Sequence, residues 1–219
     1  MALYNKQNIS VGRSFLQDSS FRHVTGSAAY IDDIPLPKNC LHGALVLSDT
    51  ASGTIKSLDL KDVKKLDFSS KVITAKDIPG KNDIAPIFSD EPILAEKEVT
   101  YVGQPIALVL ASTMEKARLA ARKVKVKIKE DKNPILDLKT AFKRKSFFLK
   151  PILLERGKAI EKINASDYQL EGSFSIGGQD HFYLETHIAL SIPKENNEYT
   201  IWSSTQHPTE IQHGVSNVL

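Results

Sequence analysis

Cysteine is almost absent from this chain, because Cys40 is the single one among 219 residues. One thiol excludes an intramolecular disulfide, and it excludes any zinc or iron–sulfur site built only from cysteines of this chain. The sequence also lacks an apolar run of the roughly 18–20 residues that a membrane-spanning helix needs. Its first residues lack the apolar centre of a signal peptide. These absences favour a cytoplasmic protein without a membrane partner.

A strong charge of one sign is also missing, since the net charge is +3. Basic residues concentrate in residues 116–150, where Lys123, Lys125, Lys127 and Lys129 alternate with β-branched residues. This period of two predicts a strand with lysines on one face. A nucleic-acid patch would also carry lysines, but no aromatic residues interleave with these to stack on bases. A solvated strand face is the favoured interpretation, and we expect no nucleic-acid partner.

Three stretches of different pattern divide the chain. Residues 1–20 are polar and aperiodic, which predicts an N-terminal arm. Residues 21–146 combine short strand patterns with helical ones, and residues 147–219 are rich in strand patterns. Proline and glycine within residues 145–165 mark the boundary between these two parts. We therefore expect an α+β fold with two domains, of which the second is incomplete.

In the first domain, the apolar run Ile106–Ala111 predicts a central strand covered on both faces. The helix that follows begins with Ser112 or Thr113 as its cap, and the lysine strand then completes a βαβ-like or split unit. In the second domain, strands are predicted in “YQLEGSFSI”, “HFYLETHIALSIP” and “EYTIWSST”, with a hairpin turn at “KENNE”. A last helix is predicted to begin near Pro208.

That last helix indicates why the second domain is expected to be incomplete. It carries Ile211, Val215 and Leu219 on one stripe, and it has no C-cap glycine. Three strands and one helix are too few for an independent core. The domain is therefore expected to pack on another polypeptide, or the chain is part of something longer: a split gene product, a truncated reading frame or a cloned fragment.

The run “SIGGQDHFYLETHIAL”, residues 175–190, concentrates the candidate chemical groups. In a strand, His181, Glu185 and His187 would share one face and suggest a metal site. The two histidines would lie about 20 Å apart, so they could share an ion only if the strand bent sharply. Glu185 and His187 could share one, but no third ligand is evident. A Glu–His acid–base pair lacks a nearby nucleophile.

A glycine pair, Gly177 and Gly178, precedes Gln179 in the same run. Glycine permits backbone conformations that other residues avoid, so a bound group could approach the main chain closely. The neutral amide of Gln179 offers two donors and an acceptor, which suits a metal-bound oxo group better than a carboxylate does. A bulge with a surface glutamine is the alternative, and the residues by themselves favour it.

The run “GGQDHFYLETH” resembles the signature of the molybdenum hydroxylases, the xanthine dehydrogenase and aldehyde oxidase family. “HVTGSAAYIDDIP” resembles the opening of the family's large molybdenum subunit, and “VGQPIALVLA” and “WSSTQHPTEIQHGVSNVL” resemble later segments of it. The resemblance extends in order over residues 11–219. “GGQDHFYLE” and “SSTQHP” favour the xanthine dehydrogenase branch, in the form of the bacterial molybdopterin-binding subunit.

The resemblance implies an α/β hammerhead domain at residues 21–146 and the beginning of a molybdenum-cofactor-binding domain at residues 147–219. The implied cofactor is molybdenum on molybdopterin, which takes no metal ligand from the protein. Gln179 matches the family glutamine that hydrogen-bonds a molybdenum oxygen. Gly178 matches its glycine neighbour, and Gly177 belongs to the same cofactor-binding segment. The implied reaction hydroxylates a purine such as xanthine or hypoxanthine, or an aldehyde, with oxygen from water.

The resemblance also implies partners. Electrons would leave through iron–sulfur clusters to FAD in other domains or subunits, and the remainder of the molybdenum subunit would complete the site. The family's base is a glutamate in a later Gly-Gly-Lys-Glu-type motif that does not occur before Leu219, and Glu185 does not match it. We therefore expect no catalytic residue within this chain and no activity from it alone. A non-catalytic docking module and an aldehyde oxidase-type fragment are the alternatives.

Overall fold

The computed structural model describes residues 11–66, 68, 70–85 and 87–219. The strands among them are β1 His42–Leu47, β2 Gly53–Asp59, β3 Ser70–Thr74, β4 Glu98–Val99, β5 Pro105–Ala111, β6 Lys125–Glu130, β7 Ala189–Pro193 and β8 Tyr199–Ser203. The α-helices are α1 Ser20–Thr25, α2 Met114–Lys123, α3 Leu138–Lys143, α4 Ala159–Asn164 and α5 Pro208–Val218. Helices and antiparallel sheets therefore coexist, and the predicted α+β class is confirmed.

The contacts within the chain define two compact units. The smaller comprises the described residues up to Lys38 together with Tyr183–Ile211. The larger comprises Asn39–Phe182 together with Gln212–Leu219. Of the predicted arm at residues 1–20, residues 1–10 lie outside the described residues, and α1 begins at Ser20. The domain boundaries predicted from the sequence stay predictions.

The larger unit contains an antiparallel sheet with the strand order β1-β5-β3. The central strand β5 pairs with both neighbours, so that Leu108 lies between Leu45 and Ile73. Helix α2 covers one face of this sheet. The α2 residues Ala120 and Ala121 belong to the same buried cluster as Ala107 and Val109 of β5. The central position predicted for β5 is confirmed.

The cover of β5 is less complete than its apolar run predicts. Side chains alternate along a strand, so Leu108 and Leu110 point away from α2. Both are half-buried instead of buried. An apolar run predicts that its side chains are buried, but it does not identify the element that covers them. The prediction of cover on both faces is therefore wrong for this end of β5.

The second sheet of the larger unit has the order β4-β2-β6. On the edge strand β6, Lys125, Lys127 and Lys129 are exposed, whereas Val126 and Ile128 are half-buried. These two apolar side chains pack against a second buried cluster. Its members are Ala95, Val99 and Ile106. The predicted period of two is confirmed from Lys125 onward, but Lys123 is the last residue of α2 and does not belong to the strand. Exposed lysines on an edge strand hinder pairing with other chains.

Strand β5, helix α2 and strand β6 do not form the predicted βαβ-like unit. The two strands belong to different sheets, and the pairings of both are antiparallel. Helix α2 therefore connects one sheet to the other. Its start agrees with the sequence, because Thr113 Oγ1 accepts a hydrogen bond from the Lys116 N–H at 3.2 Å. Of the two candidate caps, the structure selects Thr113 over Ser112.

The hairpin and the last helix agree with the sequence. Strands β7 and β8 pair antiparallel around a short 3₁₀-helix, Glu195–Asn197, which lies within the predicted “KENNE” turn. Helix α5 begins at Pro208, and His207 Nδ1 accepts a hydrogen bond from the Glu210 N–H at 3.1 Å. The imidazole therefore satisfies one of the first-turn donors that no helical carbonyl can reach.

The strands predicted between residues 168 and 188 are wrong. “YQLEGSFSI” is irregular, and “HFYLETHIALSIP” becomes a strand only from Ala189. A strand needs a neighbour to satisfy its backbone groups, and no described strand pairs with this stretch. Accordingly, Tyr168 is 95% and Leu170 99% exposed. The helices α1 and α4 were not predicted from the sequence.

The end of α5 is capped by a loop that is distant in sequence. The backbone N–H groups of Gly80 and Lys81 donate to the carbonyl oxygens of Val218 and Asn217, at 2.9 and 2.7 Å respectively. Carbonyl oxygens in the last turn of a helix have no intrahelical donor, so an external one is required. This contact within the larger unit takes the place of the C-cap glycine that the sequence lacks.

We expect Gly80→Ala to destabilise the larger unit. A Cβ at position 80 would lie 2.2 Å from the Asn217 carbonyl oxygen and 2.9 Å from Val218. The loop would have to move, and loss of its two hydrogen bonds would lower the free energy of unfolding by about 1–3 kcal/mol. Urea unfolding followed by circular dichroism measures the change.

Gly214→Ala is the matched control for this substitution. No atom lies within 4 Å of the Cβ position of Gly214, which is inside α5. Alanine favours a helix interior, so the free energy of unfolding should stay the same or rise by up to ~1 kcal/mol. Equal stability of Gly80→Ala and the unsubstituted chain would contradict the capping role of the loop.

Asp62 generates a prediction about acid stability. Its carboxylate lies 2.6 Å from Lys125 Nζ and 3.0 Å from Lys65 Nζ. The hydrogen bond from Lys125, followed by that from Lys65, lowers the pKa of Asp62 from 3.8 to about 2. Because the pKa is lower in the folded state, these contacts stabilise the fold above pH 3.8, and their contribution is lost as the pH falls through about 2.

Asp62→Asn should therefore weaken the pH dependence of unfolding between pH 3.8 and about 2. Thermal unfolding measured across this range tests the expectation. Asp90→Asn is the control, because Asp90 is exposed and forms no ion pair with the described residues. An unchanged pH dependence in Asp62→Asn would contradict the assigned role of the carboxylate.

Candidate functional site

The three residues of the predicted cofactor segment lie in irregular, exposed chain. No atom lies within 4 Å of the position that a Cβ would take at Gly177 or Gly178. Neither glycine has a positive φ, so the unusual backbone expected at this pair is not formed there. The Gln179 carboxamide forms no hydrogen bond with the described residues. Its donors and its acceptor are therefore available to a bound group.

The unusual backbone occurs three residues after Gln179. Phe182 has φ 52°, in the left-handed region that residues other than glycine rarely adopt. Asp180 Oδ1 accepts a hydrogen bond from the Phe182 N–H at 3.3 Å, which forms an Asx turn. The run is thus turned at residues 180–182 instead of extended, and the polar face predicted for a strand does not form.

The metal site considered for His181, Glu185 and His187 is not formed. In the part of the chain that the structure describes, no group of three or more His, Cys, Asp or Glu side chains could hold an ion. The Tyr183 and His187 rings lie 5.3 Å apart between centroids, so the second imidazole contacts an aromatic ring. The expectation from spacing that these histidines share no ion stays a prediction.

Glu185 has a long-range contact that the sequence did not predict. Its Oε1 accepts a hydrogen bond from the backbone N–H of Ile31 at 3.0 Å, across 154 positions of sequence. Ile31 begins the 3₁₀-helix Ile31–Asp33 in “YIDDIP”. The Tyr30 N–H donates to Asp33 Oδ2 at 2.9 Å. Two of the free N–H donors at the start of this turn, those of Tyr30 and Ile31, are therefore bonded to carboxylates.

The end of the run is joined to the hairpin of the smaller unit. The Ile188 N–H donates to Ser204 Oγ at 3.0 Å, and the Ser204 N–H donates to the Ile188 carbonyl oxygen at 3.1 Å. Sequence reasoning missed Ile31 and Ser204 as partners of the run. In the sequence, the one feature that could have indicated these partners is that they lie in two other segments that resemble the family, “HVTGSAAYIDDIP” and “WSSTQHPTEIQHGVSNVL”.

The described residues fit molybdopterin at one point and do not enclose it. Gln179 presents a neutral amide, which can donate to an oxygen-rich group without the repulsion of a carboxylate. The open space beside the two glycines leaves room for such a group. A groove of about 390 Å³ does exist between β1 and the end of α2, but none of the three predicted residues lines it.

Two family models match this chain. Residues 25–132 match the description “Aldehyde oxidase and xanthine dehydrogenase, a/b hammerhead domain”. Residues 143–219 match the description “Molybdopterin cofactor-binding domain”. The part of the chain that contains Gln179 therefore belongs to a domain type that binds molybdopterin. Among the described residues, no helix has the length and apolarity needed to cross a bilayer.

Curated relatives and a solved structure support the same relationship. Xanthine dehydrogenase/oxidase of Gallus gallus is 40% identical over 212 residues, which are 96% of this chain and 15% of the relative. Aldehyde oxidase 2 of Macaca fascicularis is 39% identical over 210 residues, 95% of this chain and 15% of the relative. The aldehyde oxidoreductase of Desulfovibrio gigas has a TM-score of 0.70 at 25% identity, covering 86% of this chain and 23% of that chain.

The exposed segment that leads to Gln179 should be the first part of the isolated chain to be cut by trypsin. Arg156 and Lys158 lie outside the strands and are exposed, whereas Lys127 is paired with β2 in the ladder of β6. Proteolysis requires local opening, which costs least where backbone hydrogen bonds are few. Mass spectrometry of the early products identifies the sites. Earlier cleavage at Lys127 than at Arg156 would contradict this order.

Proposed function

Since the chain belongs to the aldehyde oxidase and xanthine dehydrogenase family, we propose that it forms part of a molybdenum hydroxylase that oxidises a purine, xanthine or hypoxanthine. The observation that carries the proposal is the ordered match of a hammerhead domain and a molybdopterin cofactor-binding domain over residues 25–132 and 143–219. The chain spans 15% of the length of its xanthine dehydrogenase/oxidase relative from Gallus gallus. Activity and substrate are therefore proposed for the assembly that contains it.

Gln179 is the residue that we propose to hold the cofactor, with Gly177 and Gly178 beside it. Its amide is available, and the space next to the glycines is open. When bound, the cofactor would supply the redox centre that takes two electrons as oxygen from water is added to the substrate carbon. The role of the amide is to orient the cofactor by donating a hydrogen bond. We assign no catalytic residue to this chain.

We propose that the electrons leave through iron–sulfur clusters and FAD held outside this chain. Iron–sulfur clusters are held mainly by several cysteine thiolates, and this sequence has one cysteine. The proposed compartment is the cytoplasm, where a free thiol such as Cys40 stays reduced.

The remainder of the molybdenum subunit is the proposed partner of the exposed apolar side chains in the larger unit. Leu154 is 92%, Phe174 88% and Ile152 83% exposed. Burial of such a side chain is worth about 1.5–3 kcal/mol, so a stretch that leaves several of them in water is typical of an interaction surface. Docking on that remainder would also bring further residues to the cofactor.

An aldehyde is the second candidate substrate. The relative from Macaca fascicularis, aldehyde oxidase 2, is 39% identical, against 40% for the xanthine dehydrogenase/oxidase of Gallus gallus. Overall identity therefore does not separate the two branches. “GGQDHFYLE” and “SSTQHP” are the segments that favour a purine.

The test of the proposed function is purification of the tagged chain from its own host with the polypeptides that accompany it. Elemental mass spectrometry then measures molybdenum, and a dye-coupled assay compares oxidation of xanthine with that of benzaldehyde. We expect near-stoichiometric molybdenum and faster oxidation of xanthine. Faster oxidation of benzaldehyde would support the aldehyde reaction. A complex with neither molybdenum nor activity would contradict the purine reaction and the aldehyde reaction. A non-catalytic docking module would then be the remaining function.

Gln179→Ala tests the proposed residue in the same preparation. Loss of an orienting hydrogen bond close to a metal centre typically lowers metal affinity or activity about 10–100-fold, and we expect a loss of that size. Gln212→Ala is the matched control, because Gln212 is an exposed amide on α5. Equal effects of the two substitutions would contradict a specific role for Gln179.

A further inference from the structure

Strand β1, His42–Leu47, has an outer edge with which no described strand pairs. Alternate residues of such a strand direct their N–H and C=O groups outward, where another strand can bond them. The edge strand β6 of the other sheet is protected against this pairing by Lys125, Lys127 and Lys129. The residues of β1, in contrast, include no lysine, no proline and no carboxylate. The edge of β1 is therefore open to pairing.

A groove lies along this edge, between β1 and the end of α2. Four consecutive residues of β1, Ala44–Leu47, line it, so the groove follows the strand edge instead of one face. Helix α2 supplies Arg118, Ala121 and Arg122 to the opposite wall. The volume of about 390 Å³ is within the range of about 300–1,000 Å³ that is typical of ligand pockets. The shape fits an extended peptide that lies beside β1.

Arg118 and Arg122 make the α2 wall of the groove positive. They are four residues apart, so they lie on one face of the helix. Both are exposed, and neither forms an ion pair or a hydrogen bond with the described residues, although Glu115 interacts electrostatically with Arg118. Asp49 is the one acidic lining residue, and its Oδ1 accepts a hydrogen bond from Thr50 Oγ1 at 3.2 Å. Guanidinium groups bond carboxylates in a bidentate geometry, so this wall favours an acidic occupant.

The two faces of β1 have different requirements. Ala44 and Val46 pack in the cluster that α2 covers, so the alternate residues Leu45 and Leu47 point to the other face. Leu45 is 49% and Leu47 51% exposed. A strand added beside β1 would present its side chains alternately to the arginines and to the face of these leucines. An occupant that alternates acidic and apolar residues therefore matches both faces.

We propose that this groove is a docking site for an extended segment of a partner polypeptide, which adds a strand to β1 and alternates acidic with apolar residues. Main-chain hydrogen bonds to β1 supply affinity, and the side chains on the two faces supply specificity. A second copy of the chain that paired β1 with β1 would bring no carboxylate to the arginines, because residues 42–47 contain none. Charge complementarity thus favours a different polypeptide.

Fluorescence anisotropy tests the docking site with the full chain and a labelled peptide. The peptide has the length of β1, six residues, and alternates valine with glutamate. Its matched control has lysine in place of glutamate. Because two ion pairs with the arginines replace two repulsions, we expect the glutamate peptide to bind at least about tenfold more tightly. Equal affinity of the two peptides, or no binding of the glutamate peptide, would overturn the proposal.

Charge reversal locates the peptide on the chain. Arg118→Glu combined with Arg122→Glu should lower the affinity for the glutamate peptide by about tenfold. Lys127→Glu combined with Lys129→Glu is the matched control, because both lysines are exposed, have no ion pair with the described residues, and change the net charge equally. This control should leave the affinity nearly unchanged. A loss in the lysine variant without a loss in the arginine variant would place the peptide on β6 and overturn the proposal.

Two N-methylated peptides test the strand pairing without changing the protein. One carries methyl groups on the valine nitrogens and the other on the glutamate nitrogens. In an added strand, one alternating set of N–H groups donates to β1 and the other faces away. One methylated peptide should therefore lose binding, and the other should keep it. Equal affinity of both would mean that charge alone is recognised, which would overturn the added strand.

Analytical ultracentrifugation without peptide tests the other occupant, a second copy of the chain. The arginine variant and the unsubstituted chain should have the same oligomeric state, because the groove of one copy does not accept β1 of another. A dimer that Arg118→Glu with Arg122→Glu dissociates would instead assign the groove to a second copy and refute docking of a different polypeptide.

Discussion

The close approach of helix α2 to the β1-β5-β3 sheet is the contact on which the larger unit depends. It is possible because small side chains meet there: Ala107 on β5 and Ala117 and Ala120 on α2 are all 0% exposed. Larger side chains would separate the layers and open voids in a close-packed interior. Helix α2 is followed directly by β6, so its packing on the first sheet also fixes where the strand of the second sheet begins.

The sequence predicted those elements whose signals are local. The cap at Thr113, the alternating lysines of β6 and the turn between β7 and β8 each depend on residues within a few positions of one another. The pairing of strands depends on distant residues, so the sequence could not show that β5 and β6 join different sheets. For the same reason, the alternating pattern after residue 165 predicted strands where the described residues provide no neighbouring strand.

The candidate site shows the same division. Gln179 was identified by resemblance, and the structure adds that its amide is exposed and without a partner among the described residues. The contacts that hold the run, to Ile31 and to Ser204, join segments far apart in sequence and have no local pattern. Composition and spacing argued against a metal held by the two histidines, and that expectation stays a prediction. They could not have indicated that Glu185 bonds a main-chain donor.

The two residues of the loop that caps α5, Gly80 and Lys81, are under different structural constraints. Lys81 contributes only its backbone N–H to the Asn217 carbonyl, and its side chain takes no part in that bond. Gly80 contributes its N–H and also the space that a side chain would occupy. Over evolutionary time, position 81 should therefore accept almost any residue except proline, which has no N–H. Position 80 should remain glycine, so that neighbouring positions in one loop change at very different rates.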